Sequence, residues 1–299
     1  MSSRVLLTGA TGYLGTRLQS FLSDAGYMTL SLSRRPTGLP REREVICDLT
    51  DVEALRAAFL RLKPDFLIHL AARARPDREY GELPLHFEET VLPSVNLALA
   101  APLDLRLAIF VGSCEEYGNA VPPFDETQAA SCMSPYGWAK SSAFLATRMI
   151  ARSRGLPWTW LRPFLVFGAG QRSKALIPSV IRACLDGAEL QLTSGAQTRD
   201  FLYARDFQRM IDRILQEPEP AIGTALNLCT GVPRTVRSVA ELIRDQIGAG
   251  ELRFGAVPHR LDEAMSFFGS TALWDRLYGP MKHTAFPDAI ADTIRSYRV

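Results

Sequence analysis

The sequence predicts an α/β protein with a doubly wound parallel sheet and a smaller, discontinuous C-terminal lobe. The first half of the chain alternates short apolar runs with amphipathic segments, which is the pattern of strands and helices in a parallel sheet. The first apolar run leads directly into a glycine-rich turn. Of the 299 residues, 47% are apolar, and a chain of this size buries roughly 75% of its unfolded surface.

The predicted elements follow one another in a regular order. Residues 4–7 are the first predicted strand, and 13–22 are the first amphipathic helix. After Gly168 the alternation loosens and Pro and Gly become more frequent, which predicts a substrate-binding lobe made of separate segments. Further strands are expected at 28–33, 66–70 and 105–111, helices at 52–61 and from about 85, and returns to the first domain at 204–215 and 226–229. The predicted domains are 1–167 with 199–230 for a dinucleotide, and 168–198 with 231–299 for the substrate.

The glycine segment from Thr8 to Gly15 lies between the first strand and the first helix. In this context Gly9 permits a tight turn, Gly12 lets the backbone approach a pyrophosphate, and Gly15 allows close helix-to-strand packing. The spacing is Gly-x-x-Gly-x-x-Gly, and an ordinary glycine turn without a ligand is the alternative. The strand–turn–helix order favours nucleotide binding. The predicted cofactor-binding residues here are Gly9, Thr11, Gly12, Tyr13, Leu14 and Gly15.

A second segment, Ser134 to Lys140, combines helix-start signals with a proton donor. Ser134 is the predicted N-cap and Pro135 suits the first helical position, so Tyr136 and Lys140 lie one turn apart on the same face. A nearby ammonium and the positive end of a helix both favour phenolate, which predicts a Tyr136 pKa lowered from about 10 toward neutrality. A Tyr-x-x-x-Lys pair is common by chance, and an exposed helical pair is the alternative.

Together these segments resemble the extended short-chain dehydrogenase/reductases, the group of nucleotide-sugar epimerases, dehydratases and 4-ketoreductases. Residues 110–118 resemble the family's segment after a central strand, 162–171 its entry into the substrate lobe, and 199–206 its return. The resemblance runs nearly end to end and implies a Rossmann-type fold with an NAD(P) cofactor. It implies that Ser113 hydrogen-bonds the reacting sugar oxygen and forms a triad with Tyr136 and Lys140.

The end of the second predicted strand bears on the choice of cofactor. An acidic residue there would accept hydrogen bonds from a ribose 2′-hydroxyl, whereas Ser33 and Arg34 suit a 2′-phosphate. NADP(H) is therefore preferred and NAD(H) is possible, and the alternative is that Arg34 lies in a solvated turn. The resemblance implies that Asp48 and Leu49 contact adenine. The cofactor-binding set is completed by Leu70, Ala71, Ala72, Tyr136 and Lys140.

The resemblance also implies the substrate-binding residues. Arg199 and Arg260 match positions where the family uses arginines against the nucleotide diphosphate, which guanidiniums bind well. Leu165 stands where the family has a substrate-side asparagine, and Thr90 replaces another asparagine. Asn96 matches a family asparagine, with a buried amide satisfied by the backbone as the alternative.

The reaction class depends on Ser113-Cys114-Glu115. Family dehydratases carry an aspartate or serine where Cys114 stands, and a thiol with a pKa near ~8.5 is a poor general acid. Glu115 remains a possible base. The sequence therefore predicts NADPH-dependent reduction of the C4 ketone of a nucleotide-linked 4-keto-6-deoxyhexose, with Tyr136 as general acid. The alternatives are a nucleotide-sugar 4-epimerase or 4,6-dehydratase with tightly held nicotinamide, and a non-catalytic NADP-sensing protein.

Composition bounds the partners and the compartment. A net charge of +2 argues against nucleic acid, and no apolar stretch approaches the ~18 residues of a membrane span. We expect no signal peptide, because residues 1–4 run directly into the first strand. Five cysteines without Cys-x-x-Cys spacing suit a reducing cytoplasm, and four scattered histidines predict no metal site. The helices near Leu85 and at Pro135 resemble those through which family members form homodimers.

Overall fold

The computed structural model describes residues 2–74, 79–171, 174–259 and 263–298. The chain divides into two compact units. The first unit comprises Met1–Ala120, Glu126–Pro163 and Met210–Asn227, and the second comprises Val121–Asp125, Phe164–Arg209 and Leu228–Val299. Among the described residues, no helix is both long enough and apolar enough to cross a membrane.

The secondary structure alternates as the sequence predicts. The strands are β1 (Arg4–Thr8), β2 (Met28–Ser33), β3 (Glu44–Ile46), β4 (Phe66–His69), β5 (Leu107–Val111), β6 (Trp158–Pro163), β7 (Leu165–Phe167), β8 (Glu189–Leu192), β9 (Thr198–Tyr203), β10 (Thr224–Leu228), β11 (Pro233–Thr235), β12 (Glu251–Phe254) and β13 (Ser266–Phe267). The helices are α1 (Tyr13–Asp24), α2 (Val52–Leu62), α3 (Leu83–His86), α4 (Leu92–Ala100), α5 (Pro135–Arg154), α6 (Leu176–Leu185), α7 (Ala204–Gln216), α8 (Val236–Ile247), α9 (Ala272–Tyr278) and α10 (Phe286–Arg295). A π-helical turn, Phe87–Val91, joins α3 to α4.

The sheet of the first unit has the order β10-β6-β5-β4-β1-β2-β3. The pairs β1–β2, β1–β4, β2–β3, β4–β5 and β5–β6 are parallel. The strand order reverses between β1 and β4, and in such sheets ligands bind at the carboxyl ends of the strands beside that point. The predicted Rossmann-type, doubly wound fold is confirmed.

The middles of the central strands are apolar because both faces of the sheet are covered. Val5, Leu6 and Leu7 on β1 are fully buried, as are Leu67 on β4 and Ile109 on β5. Their packing against the flanking helices fixes the strand ends, where the polar side chains of the candidate site begin.

The second unit has its own sheet and its own core. Its strands have the order β11-β9-β13, with β7 also pairing with β9, and β8 pairs separately with β12. Apolar residues of α6, α8 and α10 pack together beside them. Asp200 is buried and ties the chain after β10, since its carboxylate accepts hydrogen bonds from Thr230 N at 3.0 Å and Gly231 N at 2.9 Å.

The boundaries of the two units differ from the domain boundaries that the sequence predicts. The sequence returns the chain to the dinucleotide domain at 199–230, whereas the structure does so at Met210–Asn227. The reason is that β9 pairs with β7, β11 and β13 and so belongs to the second sheet. Phe124 joins the second unit through its hydrogen bond to Phe268 O, 2.9 Å, and an edge contact with the Phe267 ring. The functions of the two units remain predictions.

Candidate active site

The glycine turn after β1 is sterically required. Gly9 has a φ of 71°, and a Cβ there would lie 2.6 Å from Ala71 N. A Cβ on Gly15 would lie 2.1 Å from Gly9 O, so α1 packs directly on the turn. Only glycine fits both positions without strain.

The N-terminus of α1 is open toward a ligand. A Cβ on Gly12 would meet only Gly9 O, at 3.2 Å, and Thr11 and Gly12 are exposed. Within the described chain no side chain caps this helix end, and its first turn holds no acidic residue. Helix α1 begins at Tyr13 and Leu14, and the backbone amide groups of this first turn point out of the helix end together with the positive end of its dipole. This helix end therefore fits the diphosphate of a dinucleotide. An adjoining cavity of about 310 Å³ is lined by Ala10, Thr11, Thr16, Gln19, Ser20, Ser23, Pro36 and Thr37.

The residues predicted to contact the adenosine lie after β2 and β3. Ser33 is buried and its hydroxyl donates to Arg35 O at 2.5 Å. The Arg34 side chain is 67% exposed and its Nη1 lies 3.8 Å from Glu89 Oε1. Asp48 is exposed, and hydrogen bonds from Thr50, with a smaller effect of Arg34, lower the pKa of its carboxyl.

Asn96 holds the segment that is predicted to contact adenine. Its Nδ2 donates to Leu49 O at 3.1 Å and to Thr50 O at 3.0 Å. The side-chain amide of Asn96 is therefore satisfied by backbone carbonyls, which is the alternative interpretation that the sequence offers for this residue. It positions the chain that carries Asp48 and Leu49.

His69, which sequence reasoning missed, fixes the loop that contains Leu70, Ala71 and Ala72. Its ring joins Thr8 Oγ1 at 2.7 Å and Ser94 Oγ at 3.0 Å. Burial, together with the charge of Lys140, lowers the His69 pKa to about 3, so the ring is neutral. Thr8 O accepts from Leu70 N at 3.2 Å, which ties this half-buried loop to β1. In the sequence, the only signal for this role of His69 is its position at the end of a predicted buried strand.

Ser134, Pro135 and Lys140 occupy the predicted positions in α5. Ser134 is the N-cap, and its Oγ accepts from Gly137 N at 3.0 Å. Lys140 is 3% exposed and its Nζ donates to Val111 O at 2.6 Å. Burial lowers the Lys140 pKa from its ordinary value of 10.5 to about 8, and the negative charge of Glu116 opposes that shift.

The expectation of a lowered Tyr136 pKa is wrong for the ligand-free protein. Burial raises the pKa of this phenol well above its ordinary value, and the hydrogen bond with Ser113 only partly offsets that shift. The negative charges of Glu115 and Glu116 raise it further. The sequence prediction considered only charges along one helix. Desolvation, which it left out, has the largest effect on the Tyr136 pKa.

The other predicted catalytic residues lie on the 3₁₀ turn after β5. Ser113 caps this turn, and its Oγ accepts from Glu115 N at 3.2 Å while its side chain hydrogen-bonds Tyr136. Glu115 is half-buried, and its Oε2 accepts from Ser134 Oγ at 3.4 Å. The structure thus brings together Ser113, Glu115, Tyr136 and Lys140.

Of the residues predicted to bind substrate, Arg199 and Leu165 belong to the second unit and Ser113 to the first. Arg199 Nη2 contacts Glu263 Oε1 at 3.0 Å, and its Nη1 donates to Ala264 O at 2.8 Å. Leu165 is half-buried beside the second unit's apolar cluster. Arg260 lies outside the described residues.

The fold and the Ser–Tyr–Lys group define a nicotinamide-dependent oxidoreductase of the short-chain dehydrogenase/reductase class. The chain belongs to the NAD dependent epimerase/dehydratase family, whose model matches residues 5–229. This family comprises nucleotide-sugar epimerases, dehydratases and reductases, so the predicted family and enzyme class are confirmed.

Similar proteins in this family differ in their reactions. The chain is 27% identical over 279 residues to the GDP-6-deoxy-D-mannose reductase of Pseudomonas aeruginosa, an alignment that covers 88% of this chain and 86% of that one. It is 25% identical over 313 residues to the UDP-glucose 4-epimerase of Mycolicibacterium smegmatis, covering 99% and 98%. The solved structure of MoeE5 in complex with UDP-glucose and NAD is 26% identical, with a TM-score of 0.86 over 99% of both chains.

Proposed function

We propose that the protein reduces the C4 ketone of a nucleotide-linked 4-keto-6-deoxyhexose with NADPH. The observation that carries this proposal is the buried Cys114, 4% exposed, next to the Ser113–Tyr136 pair. A dehydration needs an acid and a base besides the tyrosine, and a thiol is a weak acid for expelling hydroxide. Reduction of a ketone needs only one proton donor at the reacting oxygen, which Tyr136 supplies.

The residues of the first unit have distinct roles in this reaction. When bound, the reduced nicotinamide supplies the hydride. Tyr136 is protonated at neutral pH because burial raises its pKa, so it carries the proton that the carbonyl oxygen needs. Ser113 donates a hydrogen bond to the same oxygen, and Lys140, with a pKa of about 8, is mostly charged at neutral pH and stabilises negative charge nearby.

The preference for NADPH rests on Arg34. Its exposed guanidinium follows β2, where a ribose 2′-phosphate is recognised in this fold, and it suits that group's charge. The Glu89 carboxylate lies beside Arg34. When a 2′-phosphate binds, this carboxylate has to move away, or a cation has to bridge the carboxylate and the phosphate. The preference is therefore a balance between Arg34 and the Glu89 carboxylate, whose Oε2 also lies 3.1 Å from Arg73 Nη1.

A second candidate is an epimerase or dehydratase that retains NAD. The observation in its favour is the Glu89 carboxylate, 3.8 Å from Arg34, since its negative charge repels a 2′-phosphate. Glu115, half-buried near Ser134, is available as a base. The third interpretation, a sensor without catalysis, is disfavoured by the assembled Ser113, Tyr136 and Lys140.

Titration with NADPH and NADH, followed by nicotinamide fluorescence, tests the proposal once the purified protein has been checked for retained cofactor. We expect exchangeable NADPH binding at least ~10-fold tighter than NADH binding, or about 1.4 kcal/mol. Turnover is then measured with nucleotide-linked 4-keto-6-deoxyhexoses. Retained NAD that exchanges slowly contradicts the reductase proposal and supports the second candidate.

Arg199 is proposed to bind the substrate diphosphate. Its guanidinium fork suits the anionic oxygens of a diphosphate, which have to displace the Glu263 carboxylate that now lies 3.0 Å from Nη2. Arg199→Lys keeps the charge and loses the fork. We expect it to raise the KM for a nucleotide sugar while the Kd for NADPH stays unchanged.

We also propose a homodimer through α4 and α5. These helices pack together, and they expose large apolar side chains, namely Leu99 at 39%, Leu145 at 53% and Met149 at 67%. Apolar groups clustered on one surface favour association. Analytical ultracentrifugation of the wild type and Leu145→Glu measures the mass, and a wild-type monomer at micromolar concentration contradicts the proposal.

A further inference from the structure

A buried carboxylate, Glu116, lies directly behind Ser113. Its side chain is 1% exposed. Oε1 accepts from Ser113 N and from Trp160 Nε1, both at 2.9 Å, and Oε2 accepts from Arg162 Nε at 2.8 Å. Charge-assisted hydrogen bonds of this kind are short and directional, so they fix the groups that they join.

Arg162 is held as firmly as its partner. Its side chain is 4% exposed, and the guanidinium carbon lies 4.9 Å from the ring centres of both Tyr117 and Phe144. Nη1 donates to the Tyr117 hydroxyl at 3.1 Å, which donates in turn to Asn227 Oδ1 at 2.7 Å. The ion pair therefore has little freedom to rearrange.

The backbone leading to Ser113 is shaped around this carboxylate. A Cβ on Gly112 would lie 2.1 Å from Trp160 Nε1 and 2.2 Å from Glu116 Oε1. Gly112 N also donates to Leu161 O on β6, at 2.7 Å. The residue before Ser113 is thus clamped from two sides, and no side chain fits between it and Glu116.

The charge of Glu116 also reaches the catalytic lysine. Lys140 donates a hydrogen bond to the Val111 carbonyl on β5, and its charge is coupled electrostatically to the neutral His69 ring on β4 and to Glu116 on the 3₁₀ turn. Of these neighbours, Glu116 raises the Lys140 pKa and thereby opposes the effect of burial. Tyr136, on the same helix as Lys140, has its pKa raised by the negative charge of Glu116.

We propose that Glu116 is a positioning residue of the active site, which holds Ser113 against Tyr136 and provides the counter-charge for Arg162 and Lys140. The proposal rests on the proposed function to the extent that Ser113 and Lys140 act in catalysis. The sequence singles out Glu115 as a possible base and gives no role to Glu116. The structure assigns Glu116 to the support of the site and leaves Glu115 beside the reacting groups.

The test uses Glu116→Gln, which keeps the size of the side chain and an oxygen acceptor but removes its charge. The chain has four lysines, Lys63, Lys140, Lys174 and Lys282. NMR of protein labelled with ¹³C at lysine Cε therefore gives four titration curves, and Lys140→Met assigns the one of interest. We expect the Lys140 midpoint to fall by about one pH unit in Glu116→Gln.

A matched control keeps the charge and removes one hydrogen bond. Trp160→Phe deletes the indole donor to Glu116, and its Lys140 midpoint stays at the wild-type value. Where Glu116→Gln fails to fold because Arg162 is left unpaired, the double variant Glu116→Gln/Arg162→Met is compared with Arg162→Met, because these two proteins differ only in the charge at position 116. An unchanged Lys140 midpoint in the folded variant overturns the counter-charge role.

Coupling to Ser113 tests the positioning role. Ser113→Ala and Glu116→Gln each lower kcat, and if Glu116 acts through Ser113 the double variant loses no more than Ser113→Ala alone. Losses that multiply in the double variant overturn positioning through Ser113. The NMR titration needs neither substrate nor cofactor, so its outcome is separate from any failure of the reductase proposal.

Discussion

Two pairs of oppositely charged side chains near the carboxyl ends of the first unit's strands differ in their exposure. Arg162 and Glu116, beside the catalytic residues, are 4% and 1% exposed. Arg34 and Glu89, near the predicted ribose site, are 67% and 35% exposed. Salt and solvent weaken the second pair far more than the first. In the proposed function, the chemistry therefore uses rigid buried contacts, while the cofactor choice uses surface charges that single substitutions change.

The cause of this difference lies in the sheet. Ser113 follows β5, an interior strand whose last carbonyl accepts from Lys140 of α5, whereas Arg34 follows β2, next to the edge strand β3. A group beside an interior strand loses its water and needs an internal partner. A group near the edge keeps its water, so its partners can be exchanged. We call the surroundings of Arg162 and Glu116 the buried corner and those of Arg34 and Glu89 the exposed corner. The predictions below test the two corners, beginning with the largest effect.

The largest effect is expected for Tyr136→Phe in the buried corner. Loss of the proton donor lowers kcat by roughly 10²–10⁴-fold. The Kd for NADPH, measured by fluorescence, stays within a factor of about two because the diphosphate cradle is untouched. Wild-type turnover in this variant contradicts the role given to Tyr136.

Gly15→Ala is expected to come next, through stability. The added Cβ would lie 2.1 Å from Gly9 O, so α1 has to move away from the turn. Overpacking of this kind costs about 1–3 kcal/mol, which a thermal or denaturant melt measures. The comparison variant is Gly12→Ala, whose Cβ meets only Gly9 O at 3.2 Å. It should melt near the wild type and lose cofactor affinity, and equal melting of the two variants contradicts the packing argument.

The buried lysine gives a dependence of stability on pH. The Lys140 pKa is lowered from 10.5 to about 8 on folding. Between these values the unfolded chain binds more protons than the folded one, so the free energy of unfolding rises with pH. We expect the wild type to gain about 2 kcal/mol relative to Lys140→Met between about pH 8 and 10. Parallel curves for the two proteins contradict a neutralised lysine.

Arg34→Ser tests the exposed corner. Removal of the guanidinium is expected to reduce the ratio of NADH Kd to NADPH Kd by about 10-fold, with kcat at saturating cofactor unchanged. Glu89→Gln is the matched change, and it should move the ratio the other way because it removes the competing carboxylate. A ratio that neither variant alters assigns selectivity to other residues.

The smallest effect is expected from salt. Raising NaCl from about 0.05 to 0.5 M shortens the screening length several-fold, which weakens the Arg34 contribution to NADPH binding. The Lys140 midpoint measured by NMR should change much less, since Glu116 is buried beside it. Equal salt sensitivity at the two corners removes the distinction drawn between them.

Local signals in the sequence were sufficient for the elements that bear the site. The glycine spacing after β1 and the Ser134-Pro135 start of α5 depend on neighbouring residues only, and both are found where the sequence predicts them. The same local patterns cannot reveal partners distant in the chain. Arg162 and Glu116 are 46 residues apart, and Asn96 holds a carbonyl 47 residues away.

The Tyr136 pKa shows a second limit of sequence reasoning. The direction of its shift depends on how much water reaches the hydroxyl, and that is a property of the packed protein. Lys140 and the helix end were visible in the sequence, but the burial that outweighs them was not. Segment 121–125 likewise joins the second unit through Phe124, whose aromatic partners lie far along the chain.

The clamp around Gly112 restricts how this chain can change over evolution. Because Gly112, Glu116 and Trp160 share one small space, a larger residue at 112 has to arrive together with smaller ones at 116 or 160. Loss of the Glu116 carboxylate similarly has to accompany a change at Arg162. We therefore expect a substitution at one of these four positions to need a compensating change at another, so that a segment grafted around Ser113 has to bring matching residues at all four.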